Sequence, residues 1–600
     1  MSGLGTDIPF IFAVTGHRDP DPGCVESAHA QFIALIEKLS QRAPATGLLM
    51  LTGLAAGFDQ LASAWALEWS AGQPPLSSGG ARLQLGVVMP FARESYLSDF
   101  NGDPGALREF ERIETRAVFV GSVAPWQSSV TQERQDEPRQ CGYERLGAVL
   151  VERCQLLVAF WDGVDNGLPG GTAWVVGACR ANVPTAASED RATGQSRRRH
   201  LLAGDDPKAV HIIEVSRQST PNIRHPAKYS RVAVIPVEIQ TYLDELEELN
   251  RLVARYTSAE SNGARSQSQS DPSLRSIKQR FSVIDSVAVH MKSKFVVHVF
   301  LLTSVTVVAV CSFQWFGTHD HQYWAAFIYL VLMIGALIWH HLIRNVGRVE
   351  WAFVHTRAIA EAMRVQISWS ASGIDDLVTD HYMARRARDT RTLRSFVNAA
   401  TIELIASTSG GSVRGLDETS GHVWLRDQIS FMRRKLDSPL PPRSLGLRLY
   451  GWGTWCFRKL LKSYWVVVLV ISVMLAWSSR GRVEILEVKG PPAELMSVST
   501  AAVADSHNET TENWLPFGVF IVGSLLFLKV GVEYHDGAVL SEDDLEQYER
   551  LLPVFERAQA LLDRGHGTER VLRAVGKEAL DEHAEWYVRH MDSLRPPNVG

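Results

Sequence analysis

The sequence lacks the cysteine pattern of a zinc site or a disulfide framework. Its 600 residues include six cysteines, and none of them forms a CxxC pair. Scattered cysteines of this kind are typical of a reducing cytosol rather than of a disulfide-rich secreted protein. Residues 1–10 also lack the basic and apolar regions of a signal peptide, so we expect the N-terminal domain to stay in the cytoplasm.

The chain also lacks an excess of charge of one sign. Its net charge is −5 and 21% of its residues are charged, which gives no indication of a nucleic-acid partner. The chain is too long for a single hydrophobic core, so several domains are expected. Residues 1–290 have the composition of a soluble protein, whereas the remaining part of the chain contains long apolar runs.

Four apolar segments, arranged as two pairs, predict membrane-spanning helices. Six residues separate the first pair, 295–316 and 323–343, which predicts a helical hairpin. Each segment of about 21 residues is long enough to cross ~30 Å of hydrocarbon, and the alternative is a hairpin buried in a protein core. The second pair, 460–478 and 514–532, is weaker because Lys529 would have to reach the membrane surface.

Basic residues near these segments predict the orientation of the chain. The loop 479–513 has three basic and six acidic residues, whereas basic residues flank the other ends of the segments. The positive-inside rule therefore places both chain ends and residues 344–459 on the cytoplasmic side of an inner membrane. The basic residues behind this prediction are Lys292, Lys294, Arg344, Arg348, Arg458, Lys459 and Lys462.

Short apolar runs that alternate with glycine-containing turns and helical patterns predict an α/β Rossmann-like domain with a doubly wound parallel sheet. Ligands of such sheets bind at the carboxyl ends of the strands. The predicted strands are 10–14, 48–52, 83–89, 156–161 and 210–215. The remaining chain is predicted to be an all-α membrane region with four transmembrane helices and long cytoplasmic helices.

These patterns divide the chain into four parts. The ligand-binding domain covers residues 1–240 and is followed by a helix and a linker rich in Ser, Gln and Arg over 241–290. Residues 291–460 hold the first hairpin with cytoplasmic helices, and 461–600 hold the second hairpin with C-terminal helices. Residues 184–208 have the composition of a loop inserted before the last strand.

Two polar helices near the membrane have competing interpretations. Arg357, Glu361 and Arg364 lie on one helical face, either as a solvated ion-pair network or as a contact that couples ligand binding to the spans. Trp586 is expected to pack against the helix at 351–369 rather than to belong to a metal site.

Glycine and polar residues at the strand ends predict a site for a nucleotide-type ligand. Glycine allows a backbone N–H to approach a phosphate, and a helix N-terminus adds partial positive charge. Individually, a glycine can be only a turn, Asp59 only a helix cap, and Arg18 only a solvated charge. The predicted ligand-binding residues are Thr15, Gly16, His17, Arg18, Gly53, Ala55, Gly57, Asp59, Pro90, Phe91, Tyr96, Asp162, Gly163, Gly170, Gly171 and Thr172.

These residues resemble the SLOG superfamily, which includes LOG enzymes, DprA proteins and the sensor region of TRPM channels. The resemblance covers residues 10–183 and implies a nucleotide-derived ligand, an NAD derivative or a cyclic nucleotide, with no tightly bound cofactor or metal. The matching segments are Thr15-Gly16-His17-Arg18, Gly53 to Asp59, Pro90-Phe91 with Tyr96 and Asp99-Phe100, Phe160 to Gly163, and Gly170-Gly171-Thr172.

The sequence departs from the LOG motif PGGxGTxxE at the glutamate that helps to cleave the glycosidic bond. Val175 stands three residues after Thr172, and an apolar side chain cannot act as an acid or base. This difference favours a sensor without catalytic residues. The alternative is a membrane-anchored nucleoside- or nucleotide-processing enzyme, a LOG-like phosphoribohydrolase or a transferase. Its candidate residues would be Asp59, Glu94, Tyr96 and Asp162.

The membrane part resembles SLATT domains, which are two-helix membrane modules of bacterial conflict systems. The resemblance implies an effector that forms pores or disrupts the membrane in bacterial conflict or antiphage defence. Because four apolar helices cannot enclose a channel alone, a homo-oligomer in the lipid bilayer is expected. A third hypothesis is a scaffold whose sheet has lost ligand binding, and the intact glycine turns make it the least favoured.

Overall fold

Six β-strands in the first part of the chain form one sheet. The strands are β1 Phe10–Gly16, β2 Leu48–Thr52, β3 Leu83–Met89, β4 Phe119–Ser122, β5 Leu156–Trp161 and β6 Ala209–Glu214. In this computed structural model they pair in the order β4-β3-β2-β1-β5-β6, and every pairing is parallel. Nearly all side chains of β1, β2 and β5 are buried, as expected for a parallel sheet covered on both faces.

The structure describes residues 5–76, 80–123, 136–165, 167–181, 209–219, 235–260, 272–318, 323–343, 348–374, 376–383, 387–404, 418–437 and 541–594.

Six helices connect and cover the strands. They are α1 Pro22–Arg42, α2 Phe58–Ala71, α3 Arg93–Leu97, α4 Pro104–Glu114, α5 Asp136–Arg153 and α6 Thr172–Ala181. Helix α1 contacts α2 and α2 contacts α4, whereas α5 contacts α6. Because parallel crossovers are right-handed, the reversal of direction after β4 places the second pair on the opposite face of the sheet.

The beginning of α1 shows how the sequence specifies one of these helices. The Asp21 carboxylate caps the helix by accepting a hydrogen bond from the Gly23 N–H, and Pro22 occupies the first turn, where its missing N–H has no cost. Apolar residues at helical spacing then face the sheet. Those that are buried are Ala28, Phe32, Leu35, Ile36 and Leu39.

An aromatic cluster fills the space between the sheet and the first two helices. The Phe58 and Phe160 rings stack with centroids 4.9 Å apart, and the Phe32 ring lies 5.6 Å from that of Phe160. Gly16 rests on this cluster, because a Cβ atom there would lie 2.5 Å from the Phe58 Cβ. The end of β1 is thereby fixed against the start of α2.

The sequence predicted five of the six strands. The bounds of β2, β3 and β5 agree with the prediction, β1 continues two residues further, and β6 begins and ends one residue earlier. Strand β4 was not predicted, because Phe119–Ser122 is only four residues long and contains a glycine.

The later chain is helical in all the longer elements that the structure describes. Within 241–290, which the sequence assigned to a helix and a linker, residues 241–260 and 272–290 are helical, while the insertion at 184–208 lies outside the described residues. The helices are α7 Val237–Glu260, α8 Pro272–Thr318, α9 Tyr323–His341, α10 Val349–Ala371, α11 Ala387–Thr401, α12 Glu418–Asp437, α13 Ser541–Asp563 and α14 Thr568–Leu594.

The chain divides into two compact units. The first contains residues 1–290, 352–426 and 557–600, and the second contains 291–351 and 427–556. The sheet therefore shares its unit with α7 and with parts of several later helices.

Helices of the first unit attach to the amino edge of the sheet. The Asn250 side chain of α7 accepts a hydrogen bond from the Ile8 N–H at 2.9 Å and donates one to the Ile8 carbonyl at 2.8 Å. The Glu247 carboxylate accepts hydrogen bonds from the Ala45 N–H and the Thr46 hydroxyl. Ile8 precedes β1 and Ala45 precedes β2, so the opposite, carboxyl edge of the sheet is left for the predicted site.

A network of ion pairs joins α8 and α10 within the same unit. Glu361 pairs with both Arg357 and Arg364, and Arg364 also lies 3.3 Å from Asp285 of α8. The predicted ion pairs are therefore present, but the expectation that this face is solvated is wrong, because the network is partly buried between the two helices. The packing of Trp586 on this helix is also confirmed, because its ring meets Phe353 edge to face at 5.8 Å.

Two helices of the described chain are long and apolar enough to cross a membrane. They are α8, through its apolar part, and α9. In the apolar 18-residue stretch of α8 only 28% is buried, and in that of α9 only 11% is buried. Such exposure does not fit a hairpin inside a protein core. The third and fourth predicted spans, 460–478 and 514–532, lie outside the described residues.

Candidate functional site

The sheet reverses its direction of growth between β1 and β5. Strands β2, β3 and β4 are added on one side of β1, and β5 and β6 on the other. Gly16 is in register with Phe160, so the turns that follow the two strands leave the sheet side by side. The crevice at such a switch point is the usual ligand site of open α/β sheets. His17 with Arg18 and Asp162 with Gly163 border it.

Asp59 is buried beneath the turns that follow β1 and β2. Its Oδ1 atom has no hydrogen-bond partner among the described atoms. Burial raises the pKa of Asp59 to about 7, although the Arg18 charge and the nearby polar groups of Ala55, Gly16 and Thr52 act in the opposite direction. The Asp59 carboxyl group thus lies close to two backbone amides of the predicted phosphate site.

His17, Asp162 and Arg217 form a buried polar cluster at the switch point. The His17 Nε2 lies 3.0 Å from the Asp162 Oδ1 and 3.1 Å from the Asp162 backbone nitrogen. The Arg217 Nε lies 2.8 Å from the Asp162 Oδ2. Burial lowers the pKa of His17 despite the nearby Asp162 carboxylate, so the neutral ring accepts the hydrogen bond from the Asp162 N–H.

The Asp162 carboxylate stays ionised in this cluster. Burial opposes its ionisation, but a hydrogen bond from the Val164 N–H and the neighbouring His17 and Arg217 side chains together lower its pKa. An ionised carboxylate held in a fixed position can accept hydrogen bonds from the hydroxyl groups of a ribose. The cluster is therefore suited to orient a sugar at the switch point.

Two of the predicted glycines are required by close approaches of the backbone. Gly57 has a φ of +88°, and a Cβ atom there would lie 2.3 Å from the His17 carbonyl oxygen. Gly170 has a φ of +74°, and a Cβ atom there would lie 2.4 Å from the carbonyl carbon of Tyr143 in α5. Both glycines thus bring neighbouring loops together at the carboxyl edge of the sheet.

A second cluster lies around the amino-terminal half of α5. The Arg18 Nη2 is 3.9 Å from the Asp99 Oδ2, and the Arg18 guanidinium carbon is 5.1 Å from the centroid of the Tyr143 ring. Arg139 is also ion-paired with Asp99, and its guanidinium carbon lies 5.1 Å from the centroid of the Phe91 ring. The Phe91 and Tyr143 rings meet edge to face at 5.4 Å. We call these five residues the arginine–tyrosine cluster.

Tyr96 lies beneath the turn that follows β2 and contacts its backbone. Its ring is fully buried, and its hydroxyl donates a hydrogen bond to the Gly53 carbonyl oxygen at 3.0 Å. Burial accordingly raises the pKa of Tyr96. Its observed contact is to the protein backbone, which identifies a role in holding the turn after β2.

The other predicted residues lie along the same edge with different exposures. Thr15, Pro90 and Thr172 are buried, and Gly163 is exposed with open space around its Cα. Gly171 lies at the start of α6, and its N–H donates a hydrogen bond to the Leu168 carbonyl at 3.0 Å.

Three residues of these clusters were missed in the sequence. Arg217 follows β6, and its position after a strand is the signal that could have identified it. Arg139 and Tyr143 lie on α5, which the sequence did not predict, so no strand-end pattern pointed to them. All three contact residues that the sequence did predict.

The described residues contain no group of three or more His, Cys, Asp or Glu side chains that could hold a metal ion. No protein-family model matches this chain, and no curated protein sequence matches it significantly. Functional inference therefore depends on the geometry of the site.

Proposed function

We propose that this protein is a membrane effector that senses a nucleotide-derived ligand at the carboxyl edge of its parallel sheet and responds through its apolar helices. The switch point supports the ligand site, because a fixed carboxylate, Asp162, and a half-exposed cation, Arg18, border one crevice. A carboxylate suits ribose hydroxyls, and a cation suits a phosphate. The proposed ligand is an NAD derivative or a cyclic nucleotide.

The contacts of helix α5 are the observation that supports a sensor. Its residues up to Leu146 contact several loops of the predicted site. Tyr143 lies against Gly170 and Arg18, and the Leu146 Cδ2 would lie 2.8 Å from a Cβ on Gly53. A ligand that shifts these loops must therefore also displace α5, since packed interiors leave little free volume.

The carboxyl end of α5 is bound to the helices of the later chain. The buried Arg153 donates hydrogen bonds to the Thr379 hydroxyl at 2.8 Å and to the Asp380 carboxylate at 2.9 Å. The Asn398 side chain of α11 donates a hydrogen bond to the Arg153 carbonyl at 2.9 Å. One rigid helix thus connects the predicted ligand loops to the helices of this unit.

Helix α8 provides the connection to the apolar part. Arg280 of α8 is fully buried and donates hydrogen bonds to the carbonyls of Asp7, before β1, and of Ala400, in α11. The same helix continues without interruption into its apolar segment. Movement of α11 or of the amino edge of the sheet is therefore expected to reach that segment.

We further propose that the apolar helices span an inner membrane, with the chain ends in the cytoplasm. The support is the exposure of large apolar side chains along α9, such as Phe327 at 66% and Leu337 at 65%. The proposal also includes four spans, a SLATT-like pore or membrane-disrupting activity, assembly into a homo-oligomer, and a role in antiphage defence.

One observation favours the alternative of a membrane-anchored nucleotide-processing enzyme. Asp59 has a pKa of about 7 and an unpartnered Oδ1, properties of a general acid or base that acts near neutral pH. Its side chain is buried beneath the turns after β1 and β2, where a substrate could not reach it without displacing them. We therefore place this function second.

Ligand binding and turnover can be tested on one sample. The full-length protein in detergent is mixed with ADP-ribose, NAD⁺, AMP and cyclic dinucleotides, its thermal unfolding is recorded, and the ligand is then recovered for mass spectrometry. Gly171→Glu adds a carboxylate at the start of α6. Gly177→Glu adds the same charge at an exposed position on the same helix, where there is open space.

The sensor predicts that one ligand raises the unfolding temperature of the wild type and of Gly177→Glu but not of Gly171→Glu. This ligand should be recovered unaltered and should cause dye leakage from liposomes that contain the protein. Recovery of a free base with ribose phosphate would instead establish the enzyme. Absence of stabilisation by every compound would contradict both functions.

A further inference from the structure

We infer that the arginine–tyrosine cluster is the site that binds the phosphate groups of the ligand. The inference rests on the proposed function and specifies where the anionic part of the ligand is held. It assigns Arg139 and Tyr143 as binding residues, together with Arg18. The ligand class is an organic phosphate or diphosphate.

The first argument is that the surroundings of the glycine turns are unfavourable for an anion. The Gly171 N–H already donates a hydrogen bond to the Leu168 carbonyl at 3.0 Å, and the Asp59 carboxyl group lies close to the Gly16 and Ala55 amides. A phosphate at these three amides would have to displace a carbonyl or approach a carboxyl group. Cationic donors elsewhere at this edge of the sheet are better suited to an anion.

The second argument is the charge of the cluster. Two guanidinium groups share a single carboxylate, because both Arg18 and Arg139 pair with Asp99. The Arg18 side chain is 52% exposed and that of Arg139 is 30% exposed, so both retain N–H donors that an incoming anion can reach. Arginine binds phosphate with paired N–H donors, which makes this excess positive charge suited to a diphosphate.

The third argument is an unsatisfied hydroxyl. The Tyr143 hydroxyl oxygen is buried and has no hydrogen-bond partner among the described atoms. A buried hydroxyl without a partner is destabilising, and in native proteins it commonly indicates a missing ligand or water. Arg18 lies over the Tyr143 ring, so a phosphate bound by Arg18 would be close enough to supply the missing acceptor oxygen after a small adjustment.

The experiment measures the binding of inorganic pyrophosphate to the full-length protein in detergent by isothermal titration. Arg139→Gln removes one guanidinium, and Tyr143→Phe removes only the hydroxyl and keeps the ring under Arg18. Arg116→Gln is the matched control, because Arg116 is an exposed arginine that precedes β4 at the opposite edge of the sheet.

We expect Arg139→Gln and Tyr143→Phe each to weaken pyrophosphate binding about tenfold, the value of one hydrogen bond to a charged group. Arg116→Gln should bind like the wild type. Without ligand, Tyr143→Phe should unfold at the same or a higher temperature than the wild type, because it loses a hydroxyl that had no partner. Weaker binding without loss of stability would separate a binding role from a structural one.

Two results would overturn the inference. One is equal pyrophosphate affinity in Arg139→Gln, Arg116→Gln and the wild type, which would place the phosphate elsewhere. The other is no binding of pyrophosphate by the wild type. If the nucleotide panel still stabilises the protein in either case, the proposed sensor stands and only the location of its phosphate site is wrong.

Discussion

Arg153 at the end of α5 and Asp380 form a buried ion pair, with the Arg153 Nη2 lying 2.9 Å from the Asp380 Oδ1. The Arg153 side chain is only 7% exposed, so its charge depends on this partner and on the Thr379 hydroxyl. Loss of one member of such a pair leaves an uncompensated charge, which usually costs more than loss of both.

The first prediction follows from this pair. Asp380→Asn should lower the free energy of unfolding by about 3–5 kcal/mol, because it leaves Arg153 buried without a counter-charge. The double variant Arg153→Met with Asp380→Leu should recover part of this loss. Urea-induced unfolding of the full-length protein measures both effects. Equal losses in the single and double variants would show that the unpaired Arg153 charge adds no cost of its own, which contradicts the prediction.

The same double variant tests the coupling role of α5. It keeps the loops of the predicted site but removes the ionic contact of α5 with Asp380. A ligand found in the thermal-shift panel should therefore still bind, whereas the dye leakage that it causes should decrease. Leakage at the wild-type level would mean that the signal takes another route, such as Arg280.

The sequence predicted the elements of the sheet better than the contacts of its site. Apolar runs bounded by turn residues were sufficient to place β2, β3 and β5. The pairing of Arg18 and Arg139 with Asp99 could not be read in this way, because these residues come from three separate loops or helices that only the fold brings together.

The role of Asp59 shows a second limit of the sequence. Its position at the start of α2 was consistent with a ligand contact or a helix cap. Its place beside the backbone amides of Gly16, on β1, and of Ala55 depends on the packing of two turns against each other. Composition and spacing do not determine how closely these two turns pack.

Gly57 provides the second prediction, which concerns stability. Gly57→Ala should lower the free energy of unfolding by at least ~2 kcal/mol, because its φ of +88° is unfavourable for alanine and the new Cβ would lie 2.3 Å from the His17 carbonyl oxygen. Gly177→Ala is the control, since Gly177 is exposed in a helix with open space around it. It should be neutral or stabilise by up to ~1 kcal/mol. Equal unfolding temperatures of the two variants would contradict the close approach.

The pKa of Asp59 gives the third prediction. Burial raises it from 3.8 to about 7, so the folded protein binds this proton more tightly than the unfolded chain. The contribution of protonated Asp59 to the free energy of unfolding is complete below pH 4, declines as the pH rises, and is lost above pH 7. By linkage the total change is roughly 4 kcal/mol.

Comparison of the wild type with Asp59→Asn separates the titration of Asp59 from that of all other groups. Asparagine does not ionise, so the stability of the wild type relative to the variant should fall as the pH rises from 4 to 8. Thermal unfolding of both proteins at several pH values measures the difference. A difference that is constant, or that grows with pH, would show that the buried carboxylate has no raised pKa.

The last prediction concerns the environment of α9. Phe327 is 66% exposed on a helix that is apolar on most faces. If lipid surrounds it, Phe327→Arg places a charge near the hydrocarbon and should reduce membrane integration, at a cost of about 2–3 kcal/mol near the middle of the bilayer. Integration is measured as the fraction of protein that resists alkaline extraction from membranes. Phe431→Arg on α12, which is outside the apolar helices, is the control. Equal resistance of both variants would mean that water, rather than lipid, surrounds this face of α9, because an arginine exposed to water has no such cost.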